Sequence, residues 1–87
     1  MNVYFDITGI SDTSQFSYIS NAIESNSEVI KSRVFISVYG TVTCMMITTL
    51  NVKAIEIRNI LRDINLDFDN RTVRINNKKV ELNNTLK

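Results

Sequence analysis

Four cations fall close together near the end of this 87-residue chain: Arg71, Arg74, Lys78 and Lys79. Such a cluster suits contact with phosphates. It equally suits a solvated edge hairpin, where lysines discourage unwanted strand pairing. Lys31 and Arg33 extend the patch only if their strand lies beside it. Three aromatic residues, Tyr4, Phe35 and Tyr39, offer a stacking platform for unpaired bases or an apolar surface for core or dimer packing. Phe35 and Tyr39 are expected on one strand face, four residues apart. Asp6 is a candidate metal ligand or general base, since paired carboxylates at a dimer axis hold a hard divalent cation. It is also readable as a polar residue on an exposed strand face. Asp67 and Asp69 flank Phe68 and suit either a cation or a turn.

Absences narrow the chemistry. The chain has no histidine and a single cysteine, so it lacks His-based triads and the ligands of a structural zinc site. Gly9 and Gly40 are its only glycines, which excludes a Gly-rich phosphate loop. No cofactor is expected; Mg²⁺ enters only if Asp6 serves a nuclease. The lone cysteine favours a reducing compartment. No apolar run approaches a membrane span, and no secretion signal is evident, so a cytoplasmic location is expected. The net charge of +1 hides a split. Residues 1–30 contain Asp6, Asp12, Glu24 and Glu28 and no Lys or Arg, whereas every basic residue follows.

The elements that position these groups follow from periodicity. Val3, Phe5 and Ile7 alternate with Tyr4, Asp6 and Thr8, which predicts a strand with one apolar face. Ser11, Asp12, Thr13 and Ser14 are candidate caps for a helix over Gln15 to Ile23. Glu28 to Tyr39 reads as a second strand, with a tight turn at Gly40-Thr41. Thr43 to Leu50 reads as a third, apolar on both faces, with Cys44, Met45 and Met46 expected in the core. Thr49 or Asn51 is expected to cap a helix over Val52 to Ile64. Thr72 to Leu82 reads as a hairpin with a four-residue loop, Asn76 to Lys79, that pairs Ile75 with Val80, Val73 with Leu82 and Arg74 with Glu81. Leu66 and Phe68 are out of phase with Val73 and Ile75, so a bulge or turn is expected at Asp69-Asn70. The order is β-α-β-β-α-β plus a C-terminal strand, with both helices on one side of the sheet.

The opening Val-Tyr-Phe-Asp-Ile, the strand Ser-Arg-Val-Phe-Ile-Ser-Val-Tyr and the late Thr-Val-Arg-Ile resemble the small ferredoxin-like family of the CRISPR adaptation nuclease subunit. The passage Met46-Ile-Thr-Thr-Leu-Asn-Val-Lys-Ala-Ile-Glu-Ile-Arg is similar to the strand-to-helix passage of GhoS, an RNA-cleaving antitoxin of related fold. The resemblance implies a homodimer, RNA or DNA as partner and, in some members, a metal between paired aspartates. Asp6 is the residue that carries over. The Asn-rich tail and the lack of a basic residue before Lys31 depart from the family. The expectation is therefore a single α+β domain over residues 1–87, a ferredoxin-like sandwich with an additional C-terminal strand or hairpin. Its expected role is that of a small dimeric regulatory protein, antitoxin- or inhibitor-like, acting on an RNA-containing or protein partner, of a size that suits a phage. A metal-dependent endoribonuclease using Asp6 and an adaptor dimer without nucleic acid are the alternatives.

Overall fold

The computed structural model describes residues 1–10, 12–49 and 52–80. The chain is a small α+β protein with two helices and a five-stranded antiparallel sheet. In chain order the elements are β1 (Asn2–Ile7), α1 (Phe16–Glu24), β2 (Val29–Ile36), β3 (Val42–Thr48), α2 (Ala54–Asp63), β4 (Arg74–Ile75) and β5 (Lys78–Lys79). Across the sheet the order is β2-β3-β1-β4-β5.

Alternation in β1 sets the two sides of the sheet. Val3, Phe5 and Ile7 are buried, while Tyr4 and Asp6 are half-buried on the opposite face. Register carries this division outward. Val3 faces Met46 and Phe5 faces Cys44; Cys44 in turn faces Val34. These residues form one buried cluster with Ile19 and Ile23 of α1 and Ile57, Ile60 and Leu61 of α2. Both helices therefore cover the Val3–Phe5–Ile7 side. The rings of Phe5 and Phe68 meet edge to face, with centroids 5.6 Å apart. Burial pushes the Cys44 thiol up to about 12, so this residue packs as a small apolar group. Met45 departs from the expected core position: it is half-buried on the helix-free face.

The helix ends use local groups. Asp12 accepts the Ser14 N–H at 2.9 Å and opens a 3₁₀ turn, Thr13–Gln15, that leads into α1. Helix α2 starts at Ala54, with no cap from Thr49; Asn51 lies outside the described residues. Instead the Glu56 carboxylate reaches back to the Lys53 N–H at 3.2 Å, the acidic half of a capping box. Thr49 spends its hydroxyl on Glu28 at 2.5 Å. Helix α2 stops in a Schellman arrangement: Asn65 is left-handed with φ 56°, its N–H reaches Arg62 O, and the Leu66 N–H reaches Leu61 O.

Two hairpins differ from expectation. The second strand ends at Ile36, three residues early, because Ser37–Thr41 forms the turn. The Ser37 N–H donates to Thr41 O at 2.8 Å, the Gly40 N–H donates to Ser37 O, and Gly40 takes φ 80°. This is a three-residue loop closed by a left-handed glycine. The last hairpin turns on Asn76-Asn77 alone, with φ 52° and 69°, as a type I′ turn requires. Arg74 consequently pairs with Lys79 and Ile75 with Lys78, while the Val80 N–H reaches Val73 O. The expected pairing of Ile75 with Val80 is thereby overturned; Glu81 and Leu82 lie outside the described residues. The turn expected at Asp69-Asn70 is a 3₁₀ turn over Asn70–Thr72.

Candidate nucleic-acid interface

The helix-free face of the sheet gathers side chains from all five strands. Register aligns Arg33 of β2, Met45 of β3, Tyr4 of β1, Arg74 of β4 and Lys79 of β5 in one transverse row. At about 4.7–4.9 Å per strand, Arg33 and Arg74 stand roughly 14 Å apart at their backbones. Phe35, Thr43 and Asp6 form the next row on one side, and Lys31, Ile47 and Asn2 the next on the other. Cations thus border the platform at both lateral edges, and its centre is apolar and aromatic. Arg33, Arg74 and Lys79 are exposed, whereas Tyr4, Phe35 and Met45 are half-buried by their neighbours.

The four-cation cluster of the C-terminal segment is divided by this geometry. Arg74 and Lys79 share the open face. Lys78 faces Ile75, which puts it on the other side of β5. Arg71 is held by Asp69, with Nε 3.1 Å from Oδ1 and Nη2 3.2 Å from Oδ2. Those bonds from Arg71 hold the Asp69 carboxyl below its ordinary range and raise the guanidinium. In return Lys31 and Arg33 join the face. Their strand phase was readable in the sequence, but their distance from Arg74 depended on strand order.

Tyr39 leaves the strand surface with the early end of β2, so it does not continue the face of Phe35 as expected. It stands in the loop, 89% exposed, and borders a depression of about 200 Å³ at the end of the platform. Tyr4, Asp6, Thr43, Thr72 and Arg74 form most of the remaining wall. Asp6 is the only carboxylate in this lining. Its Oδ1 accepts from the Thr43 hydroxyl at 2.9 Å, and its backbone N–H donates to the Thr72 hydroxyl at 2.8 Å. Asp67 is exposed, and Asp69 caps the 3₁₀ turn by accepting the Arg71 N–H at 3.0 Å. Among the described residues no group of three or more carboxylate or cysteine side chains is placed to hold a metal. Thr43 and Thr72 were not singled out from the sequence, and Met45 was expected in the core; the pairing of β1 with β3 and the turn before β4 assign them here.

A second depression, about 320 Å³, lies between the end of α2 and the segment that follows it, with Arg58, Arg62 and Asp67 in its lining. Arg58 Nη1 is buried there without a hydrogen-bond partner. No family model, curated protein or solved structure matches this chain. Among the described residues no helix is long and apolar enough to cross a membrane.

Proposed function

We propose that this chain is a small regulatory binding protein, antitoxin- or inhibitor-like, that takes up single-stranded RNA on the helix-free face of its sheet. The observation that carries the reading is the row Arg33–Met45–Tyr4–Arg74–Lys79, with Phe35 and Lys31 beside it. Unpaired bases stack on ring faces whatever their sequence, and flanking cations meet the phosphates. The strand order β2-β3-β1-β4, with a helix in each crossover, supports a ferredoxin-like reading of the fold. The additional hairpin strand widens the platform by the width of Lys79.

Fluorescence anisotropy with short single-stranded and duplex RNA tests this. The single strand binds and the duplex binds far more weakly, because only unpaired bases reach the rings. Tyr4→Ala weakens binding by about 1–3 kcal/mol, the range for one stacked base. Equal affinity for both forms, or none for either, refutes it. RNA incubated with Mg²⁺ or Mn²⁺ stays intact in this reading; cleavage abolished by Asp6→Asn would establish the endoribonuclease instead.

A separate observation favours an adaptor homodimer. Ile30, Ile36, Val38 and Tyr39 are 64%, 55%, 93% and 89% exposed, all on the outermost strand β2 or the loop that follows it. Pairing β2 with a second copy would cover much of this apolar surface. Light scattering at micromolar concentration then gives twice the 10.0 kDa chain mass, and Ile36→Lys returns it to one.

A further inference from the structure

The depression beneath Tyr39 contains two opposite charges that do not meet. Its serine and threonine hydroxyls are already engaged. Thr43 donates to Asp6 Oδ1, Thr72 donates to Asp69 O at 2.7 Å, and the Ser37 and Thr41 hydroxyls lie 2.7 Å from each other. Among the described residues Asp6 Oδ2 accepts no hydrogen bond, and Arg74 makes neither an ion pair nor a side-chain hydrogen bond. Both nevertheless line one small hollow with the rings of Tyr4 and Tyr39. Arg74 faces Tyr4 across the strands, and Asp6 is two residues further along β1 on the same face, about 7 Å away.

We propose that this hollow is a guanine-selective subsite, an inference that rests on the RNA-binding reading above. Guanine alone among the four bases sets two N–H donors, N1–H and the N2 amine, side by side on its pairing edge. A carboxylate can accept both. The adjoining edge offers O6 and N7, the pair to which a guanidinium donates bidentately. Adenine and cytosine each place a ring-nitrogen lone pair beside their amine, which a carboxylate repels. Uracil flanks its one N–H with two carbonyl oxygens, which it repels as well. Volume agrees with a single base: about 200 Å³ is small beside the ~300–1,000 Å³ of drug-sized sites. Tyr4 and Tyr39 supply ring faces for stacking. Arg74 is thereby assigned to a base edge, while Lys31, Arg33 and Lys79 remain for phosphates.

The test uses uridine-rich RNA strands that differ only in one central base, measured by anisotropy against the full chain. The guanine strand binds at least about tenfold tighter than the adenine, cytosine and uracil strands, within the range of a good bidentate contact. Asp6→Asn abolishes the guanine advantage, because a carboxamide presents one donor and one acceptor and no longer matches two adjacent N–H donors. Arg74→Gln, at an exposed position, also lowers the guanine advantage and guards against a folding defect in Asp6→Asn; Lys78→Gln, on the other side of β5, leaves the affinity for every strand unchanged. Equal, salt-sensitive affinity for all four strands overturns the guanine subsite and leaves the RNA face standing. A preference for another base overturns the subsite too. Absence of binding to any strand overturns both.

Discussion

If the open face meets phosphates through Lys31, Arg33 and Lys79, its affinity for RNA has a calculable salt dependence. Each phosphate neutralised on a single strand contributes about 0.7 to the log–log slope, through release of condensed counterions. Three contacts give a slope of about −2.1, so raising salt from ~50 to ~200 mM weakens binding about 18-fold. The count is set by the sheet: these three side chains, with Arg74, are the cations that register places on the helix-free face. Arg71 is excluded by its Asp69 partner, and Lys78 by its position opposite Ile75. Replacing Lys31 and Arg33 together by Gln leaves one contact, a slope of about −0.7 and only about a 2.6-fold loss over the same salt range. Lys78→Gln leaves the slope unchanged. Should Arg74 contact a phosphate rather than a base, the wild-type slope steepens to about −2.8 and the loss approaches 50-fold. The assay is anisotropy titration of a labelled uridine strand at four salt concentrations, with circular dichroism confirming that each variant is folded. A wild-type slope near zero, or identical slopes in the wild type and the double variant, refutes the assignment of these cations to phosphates.

Other outcomes follow from the fold. Phe5→Ala removes a fully buried ring and its contact with Phe68, so urea denaturation shows a loss of about 3–5 kcal/mol; a loss under ~1 kcal/mol contradicts the packing. Asn77 holds φ 69°, where an ordinary L-residue is disfavoured by ~1–2 kcal/mol and Asn by less. Asn77→Gly therefore raises the thermal midpoint slightly, whereas Asn77→Val lowers it. Glu24 accepts the Ser32 N–H at 2.7 Å, which with the Ser32 hydroxyl holds its carboxyl below the ordinary range. A depressed folded pKa means that its stabilising contribution is complete above the unfolded carboxyl range and disappears as pH falls through the folded value. Acid titration of stability is accordingly shallower in Glu24→Gln than in the wild type, and equal profiles exclude the bond.

Within each strand the sequence revealed phase with little ambiguity. Val3, Phe5 and Ile7 had to share a face, and Arg33 and Phe35 had to share another, because side chains alternate with period two. The helices were equally readable from Ile19 and Ile23 and from Ile57 and Leu61, since three- and four-residue spacings align on one stripe. Polar Ser32 was harder. It is buried because Ser20 and Glu24 of α1 satisfy it, and those partners become visible only when helix and strand are docked. The bulge between Val29 and Lys31 was hidden for the same reason, because a bulge is a relation between two strands.

The candidate site depended on such relations throughout. A loop of four residues in the last hairpin would have opposed Arg74 with Glu81 and cancelled its charge. The two-residue Asn76-Asn77 turn opposes it with Lys79 instead, and doubles the positive charge at that edge of the face. The signal for the shorter turn was present, since asparagine tolerates the left-handed conformation that both central positions of a type I′ turn demand. Asn76 adds a reason outside the hairpin: its side-chain oxygen accepts the Asn2 N–H at 3.1 Å, and its own N–H donates to Asn2 O at 2.8 Å. The turn is therefore locked to the first strand, which fixes how far β4 slides along β1 and sets Arg74 beside Tyr4. A local choice of turn thus decides which cations flank the central aromatic residue, and the chemistry of the face follows from it.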